Sequence, residues 1–172
     1  MSTIGQEYLT TIQQQFHHFK IRAEQAIAQL SEEDLHWTPG RESNSVAIIM
    51  QHLSGNMHSR WIDFLHSDGE KDFRDRDLEF IHQFKTKDVL LQEWNDGWEL
   101  LFKTINFLGE EDLQRTVTLR GKPLSVMSAI QIEVAHVSYH VGQILYIGKQ
   151  IKDEEWIVLS IPKNRSKGGC HL

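Results

Sequence analysis

The sequence predicts an all-α protein, a four-helix bundle with long connections and a C-terminal strap. Four separate stretches repeat apolar side chains at three- and four-residue steps, which is the period of an amphipathic helix. Each stretch is about 22 to 26 residues long, and four such helices can surround one core. The chain of 172 residues contains three prolines and one cysteine. A single domain over residues 1–172 can therefore bury a core without disulfides.

The first two helices are predicted over residues 7–30 and 45–66. Pro39 and Gly40 break the helical period between them, and Asn44 or Ser45 can cap the second helix. The apolar face of the first helix consists of Tyr8, Ile12, Phe16, Phe19, Ala23, Ile27 and Leu30. The apolar face of the second consists of Val46, Ile49, Met50, Leu53, Met57, Trp61, Phe64 and Leu65.

The connection over residues 68–79 is predicted to be solvated, because nine of its twelve residues are charged and both signs are mixed. A third helix is predicted over residues 86–108, closed by Gly109. Its buried positions are predicted to be Val89, Leu90, Trp94, Leu101, Phe102 and Ile105.

The last third of the chain contains the fourth helix, predicted over residues 125–149 with Ser125 as its cap. Residues 116–123, which precede it, are predicted to form either a short extended segment or a loop. From residue 153 onward we expect a strap that lies against the bundle through Trp156, Ile157, Leu159 and Ile161. The connections are longer than adjacent antiparallel helices need, so the winding order stays open.

Composition narrows the possible partners. The formal net charge of −6 argues against nucleic acid, and the basic cluster of Lys163, Arg165 and Lys167 is interpreted as a solvated tail. The sequence has neither a signal-like start nor the run of about 20 apolar residues that a membrane span needs. Cys170 is the single cysteine, which is compatible with a reducing compartment. We therefore expect a cytoplasmic protein without membrane or nucleic-acid partners.

Two histidines on the fourth helix point to a metal ion. His136 and His140 are four positions apart, so their imidazoles share one helix face. His52, on the second helix, offers a third ligand if the two helices are neighbours. Three neutral imidazoles leave a divalent ion with an open position, as a catalytic site requires. By spacing alone, hydrogen-bonded boundary histidines remain an equal alternative.

Other polar residues near this face have more than one possible role. Glu133, one turn before His136, is a candidate general base, a fourth ligand, an acceptor for an imidazole N–H or an ordinary helix glutamate. Asn56 and Gln143 are predicted to face the same cavity, where they either orient a substrate or bridge two helices. Trp61 and Trp94 are interpreted as core aromatics.

The remaining histidines are not predicted to bind the metal ion, and one alternative metal site is disfavoured. The other seven histidines are interpreted as surface residues: His17, His18, His36, His58, His66, His82 and His171. A di-iron site built from Glu133-x-x-His136 and Glu79-x-x-His82 is disfavoured, because two further inward glutamates are missing.

The sequence resembles the DinB/YfiT-like superfamily. The resemblance is carried by Trp37-x-Pro39, by the segment SVAIIMQHL that ends just after His52, and by His136-x-x-x-His140-x-Gly142-Gln143. It implies a four-helix bundle of DinB/YfiT-like type in which His52, His136 and His140 bind one divalent ion. Tyr139 stands where many members have another histidine, and the segment LSIPK resembles an uncharacterised branch.

The resemblance also implies an activity. Characterised members resemble thiol S-transferases that use low-molecular-weight thiols such as bacillithiol, mycothiol or glutathione, and some are hydrolases or isomerases. We therefore expect an enzyme in which zinc, nickel, iron or manganese lowers the pKa of a bound thiol or water, so that the anion attacks a small electrophile. Glu133 takes the proton or tunes an imidazole.

Three further interpretations stay open at this point. One is a metal-dependent hydrolase, and another is a binding or stress-sensing module that holds the ion without turnover. A purely structural helical protein is a third reading, in which the histidines are boundary residues. We expect a homodimer.

Overall fold

The computed structural model describes residues 1–81 and 83–162. This part of the chain is mostly helical, with six α-helices and one two-stranded sheet, which confirms the prediction of a helical protein. In chain order the helices are α1 (Ile4–Ile27), α2 (Glu32–His36), α3 (Val46–Trp61), α4 (Arg76–Glu79), α5 (Lys87–Phe107) and α6 (Val126–Lys152). The strands β1 (Thr116–Leu119) and β2 (Lys122–Ser125) form an antiparallel hairpin between α5 and α6.

Side-chain caps fix where the long helices begin. Thr3 and Gln6 form a capping box at α1, which therefore starts three residues earlier than predicted. Ser45, Thr86 and Ser125 accept backbone N–H bonds at the starts of α3, α5 and α6. The predictions for Ser45 and Ser125 as caps are confirmed.

Most of the buried apolar residues of the core belong to the four long helices, α1, α3, α5 and α6. The predicted burial of Trp61 and Trp94 is confirmed, and Trp98 is buried beside them. α3 packs closely on α5, since a Cβ added at Gly97 would lie 3.2 Å from the Cα of Ser54. α6 contacts both α1 and α3. The helices that carry the three candidate ligands are therefore neighbours.

Several predicted boundaries and burials are wrong. α3 ends at Trp61 rather than at residue 66, because Ile62 is extended and Asp63 has a left-handed φ of 48°. α5 ends at Phe107, before Gly109, whose φ of −93° is not left-handed. Val89 is 46% exposed. α6 continues three residues beyond the predicted end, to Lys152.

The connections contain more regular structure than predicted. α2 forms between the first two long helices, where Ser31 and Asp34 make a capping box. Residues 116–123 belong to the hairpin, so the extended alternative is the correct one. In the strap Trp156 is buried and Leu159 packs on the core, whereas Ile157 and Ile161 are exposed.

The charged connection over residues 68–79 is not simply solvated. It contains α4, and its Glu79 is only 7% exposed. The Arg74 side chain is 3% exposed. These charges are buried in pairs, which a count of charged residues cannot distinguish from a solvated segment. Among the described residues, no helix is both long and apolar enough to cross a membrane.

Candidate metal centre

Three histidines from two helices meet at the α3–α6 contact. The ligand-capable nitrogens of His52, His136 and His140 all lie within 4.8 Å of one another. Nε2 of His52 lies 2.9 Å from Nε2 of His136. His52 is 7% exposed and His140 is 6% exposed. The structure therefore brings together the three residues that the sequence analysis selected.

The other ring nitrogen of each histidine faces an oxygen. Nδ1 of His52 donates to Oε2 of Glu79 at 2.8 Å, and Nδ1 of His140 donates to Oε1 of Gln143 at 2.8 Å. Nδ1 of His136 is buried and has no hydrogen-bond partner among the described residues, and Oε1 of Glu133 is 3.9 Å away. Acceptors at Nδ1 fix the ring orientation of metal-binding histidines and leave Nε2 free to bind.

Glu79 is held by two partners. Arg74 donates to its carboxylate from Nε at 2.7 Å and from Nη2 at 2.9 Å, and His52 donates from the other side. Burial alone would raise the pKa of the Glu79 carboxyl, but the hydrogen bonds from His52 and Arg74 outweigh it and lower the pKa below its usual range. Glu79 is therefore an ionised acceptor, which requires a proton on Nδ1 of His52.

Glu133 lies behind His136 and is fully buried. Arg60 donates from Nη1 to its Oε2 at 2.6 Å. With its amide nitrogen facing this carboxylate, Asn56 donates to both oxygens at 3.0 Å, and its oxygen accepts from Nη1 of Arg74 at 3.3 Å. Burial raises the pKa of the Glu133 carboxyl, but His136 and the charge of Arg60 outweigh burial, so that the pKa is lowered.

The protonation pattern suits a cation between the imidazoles. When neutral His52 carries its proton on Nδ1, its Nε2 presents a lone pair to Nε2 of His136. The 2.9 Å contact between the two Nε2 atoms is a hydrogen bond if His136 carries its proton on Nε2, and it is a pair of facing lone pairs if that proton is on Nδ1, towards Glu133. In the second tautomer both Nε2 atoms can bind a cation, so the residues present fit a divalent ion.

His140 is neutral at pH 7, and the neutral imidazole is the form that can bind a metal ion. Burial and the neighbouring His136 lower the pKa of His140 to about 4. Its imidazole is therefore neutral, and binding of an ion would release no proton from it.

A cavity of about 500 Å³ opens beside the three histidines. Four arginines line it: Arg60, Arg74, Arg76 and Arg120. Its apolar surface comes mainly from Phe80, Ile132 and Tyr139. Asn56 lines the cavity as predicted, whereas Gln143 is exposed outside it and contacts only His140 among the histidines.

The other seven histidines lie away from the cluster wherever the structure describes them. His17, His18 and His66 are exposed, as predicted. His36 and His58 are half-buried and each contacts a backbone carbonyl, of Lys85 and Ser54 respectively. His82, His171, the basic cluster and Cys170 lie outside the described residues.

Sequence reasoning missed Glu79 and the four arginines as part of the site. The alternating charges of the connection suggested solvent, and the apolar residues among them, Phe73 and Leu78, are exposed, so they gave no signal of burial. Arg60 follows His52 by eight positions, about two helical turns, so its place on the same face was readable from the sequence. Arg120 depends on the hairpin and could not be placed without it.

Comparison with known proteins identifies a family but assigns no activity. A family model described as "Protein of unknown function (DUF1572)" matches residues 3–165, nearly the whole chain. Among curated proteins, none matches significantly.

Proposed function

The chain belongs to the DUF1572 family of proteins of unknown function, and we propose that it is a divalent-metal-dependent enzyme, a thiol S-transferase acting on small electrophiles. The observation that carries the proposal is the meeting of His52, His136 and His140, with an oxygen facing each Nδ1. Three neutral imidazoles without a carboxylate ligand leave the ion its full charge, which favours catalysis over a purely structural role.

The fold supports the same proposal. We infer that α1, α3, α5 and α6 form a four-helix bundle of DinB/YfiT-like type, in which the ligands come from α3 and α6. The pairing of α3 with α5 and of α1 with α6 is consistent with such a bundle. Zinc, nickel, iron and manganese all accept imidazole ligands, so the ion is proposed only as divalent.

The residues around the cluster have distinct proposed roles. His52, His136 and His140 would hold the ion through Nε2, while Glu79 and Gln143 orient two of the rings through Nδ1. Of the roles left open for Glu133, we assign it that of a buried carboxylate facing His136 at 3.9 Å, where it can tune the imidazole, because it is fully buried and does not line the cavity. A general base would have to reach the substrate.

When bound, a divalent ion lowers the pKa of a thiol or water in its open position. In the proposed reaction the thiol loses its proton, its sulfur forms a bond to the electrophilic carbon, and the leaving group departs with the bonding electron pair. The proton passes to solvent through the open cavity. A cavity of about 500 Å³ has room for small substrates, which favours an enzyme over a module that only holds metal.

Activity measurements test this proposal. Protein loaded in turn with zinc, nickel, iron or manganese is incubated with bacillithiol or glutathione and with 1-chloro-2,4-dinitrobenzene, and thioether formation is followed by absorbance. We expect turnover that is lost in His136→Ala and retained in His66→Ala, an exposed control. Metal-loaded wild type without turnover for thiol transfer or for ester hydrolysis would favour the non-catalytic module instead.

Two further expectations remain proposals. We propose a cytoplasmic location and a homodimer. Light scattering coupled to size-exclusion chromatography tests the dimer.

A further inference from the structure

Four guanidinium groups line the cavity beside the candidate metal centre, although the chain as a whole has a net charge of −6. Three carboxylates contact these groups: Glu70, Glu79 and Glu133. Among these seven side chains one positive charge is left over, and a divalent ion held by neutral imidazoles would add two more. No Asp or Glu side chain of the described residues lines the cavity. The local charge favours an anion.

The four arginines fall into two pairs with different tasks. Arg60 and Arg74 are nearly buried and bind Glu133 and Glu79, the carboxylates behind the histidines. Their charges are compensated there. They complete the support of the histidine cluster and are not free to receive a substrate.

Arg76 and Arg120 are the more exposed of the four arginines. Their side chains are 39% and 56% exposed. Both donate to the same atom, Oε2 of Glu70, from Nη2 of Arg76 at 2.6 Å and from Nε of Arg120 at 3.2 Å. Two guanidiniums with five N–H groups each share one carboxylate oxygen, so most of their donors remain available.

The backbone at Arg120 is held in a costly conformation. Arg120 and Gly121 form the turn of the hairpin with φ of 53° and 70°, and a left-handed φ is unfavourable for arginine. The Asp68 carboxylate accepts the backbone N–H of Arg120 at 2.8 Å and that of Gly121 at 2.7 Å. The hairpin thus holds the backbone of an arginine beside the cavity, where Asn or Gly would be the ordinary turn residue.

We propose that the cavity binds a substrate with an oxyanion group, a carboxylate or phosphate, which Arg76 and Arg120 receive. Its apolar part contacts Phe80 and Tyr139, which line the same cavity as the arginines and the histidines. Planar guanidiniums match both oxyanions by paired N–H donors. This inference rests on the proposed function in placing the reacting atom at the histidine cluster, and it deepens it by naming the substrate class.

Calorimetric titration of phenylphosphonate tests the proposal, with neutral benzyl alcohol as the comparison ligand. Each is titrated into metal-loaded and into chelator-treated protein, so that oxyanion binding by the arginines is separated from binding by an ion. S-methylglutathione, an anionic thioether, is titrated in parallel, which distinguishes the oxyanion of a thiol from that of an electrophile. Metal content is measured on every sample.

The variants are Arg76→Gln, Arg120→Gln and the control Arg41→Gln, an exposed arginine outside this cavity. We expect phenylphosphonate or S-methylglutathione to bind at least about tenfold more weakly to either cavity variant, with and without metal, since charge-assisted hydrogen bonds are lost. Anion binding by Arg41→Gln should equal that of wild type. Binding of benzyl alcohol should be the same in all variants.

The result that overturns the inference is equal anion binding by wild type and both cavity variants, or binding by none of them. Both outcomes concern anion binding, so they do not depend on whether the protein binds a metal ion. If the wild type binds an ion but the arginines do not affect anion binding, the oxyanion inference alone fails. If no ion binds but the anion affinity still depends on Arg76 and Arg120, the inferred oxyanion site stands and the metalloenzyme proposal fails.

Discussion

Oε2 of Glu79 lies 2.8 Å from Nδ1 of His52, across 27 positions of the chain. This contact joins the charged connection to the candidate metal centre. Through this contact, residues 68–79 orient His52, a candidate metal ligand, in addition to covering α3.

Glu79→Gln tests the role of this contact. The amide keeps the shape but removes the charge that favours a proton on Nδ1 of His52, so we expect metal affinity to fall by about 10- to 100-fold. Competition with a chromophoric chelator measures the affinity. Glu99→Gln, an exposed change on α5, serves as the control. Unchanged affinity in Glu79→Gln would show that the ring orientation of His52 does not depend on this carboxylate.

Arg60→Met is expected to destabilise the fold. It leaves the fully buried Glu133 without its 2.6 Å partner, and breaking a buried pair costs about 3–5 kcal/mol. Urea unfolding followed by circular dichroism measures the free energy of unfolding. Arg115→Met, which breaks the exposed pair with Asp112, should cost less than about 1 kcal/mol. Equal losses of unfolding free energy in Arg60→Met and Arg115→Met would contradict the account. Adding Glu133→Gln to Arg60→Met removes the unpaired buried charge and should recover part of the loss.

Asp68 is expected to contribute stability that depends on pH. Although desolvation raises the pKa of the Asp68 carboxyl, hydrogen bonds from the backbone of Gly121, Glu70 and Arg120 outweigh it and lower the pKa. The contribution is therefore fully present above the unfolded-state pKa of about 3.9, and it is lost as the pH falls through the lower folded-state pKa.

Asp68→Asn tests this dependence. The free energy of unfolding should drop on the order of 1 kcal/mol at pH 7, because a charged acceptor of backbone N–H groups is lost. The difference from wild type should shrink toward acidic pH. Chemical unfolding between pH 3 and pH 7, buffered in about one-unit steps, measures it. A difference that is constant across this range would mean that the Asp68 charge does not stabilise the hairpin turn.

Gly148→Ala is expected to displace the strap. An added Cβ would lie 2.8 Å from the Trp156 ring, closer than side-chain carbons approach. The expected result is a lower melting temperature and a red-shifted tryptophan fluorescence. Gly142→Ala, where a Cβ meets no atom of the described residues within 4 Å, should instead stabilise α6 by up to about 1 kcal/mol. If Gly148→Ala stabilised the protein as Gly142→Ala does, the packing of Trp156 on α6 would be wrong.

The long helices and the three histidines could be predicted from the sequence because both follow the helical period. Apolar spacing located α1, α3, α5 and α6 to within a few residues, and i, i+4 spacing placed His136 and His140 on one face. The ends were less accurate. The left-handed Asp63 that follows α3 depends on how the chain leaves the core, which the local pattern does not encode.

The rest of the site was out of reach because it depends on long-range pairing. Glu79 and Arg74 are polar residues in a polar segment, and only their partners in space make their burial possible. Arg120 reaches the cavity because Asp68, 52 positions earlier, accepts the N–H groups of the hairpin turn. No periodicity relates these residues.

Metal content of the purified protein tests the central claim most directly. Untagged wild type, prepared without chelator, is compared by inductively coupled plasma mass spectrometry with His52→Ala, His136→Ala and His140→Ala, and with His66→Ala as the exposed control. Circular dichroism confirms that each variant is folded. We expect about one equivalent of a divalent ion in wild type and in His66→Ala, and a loss of the ion in the three cluster variants. A wild type that cannot be loaded with zinc, nickel, iron or manganese, or folded cluster variants that retain a full equivalent, would contradict the account.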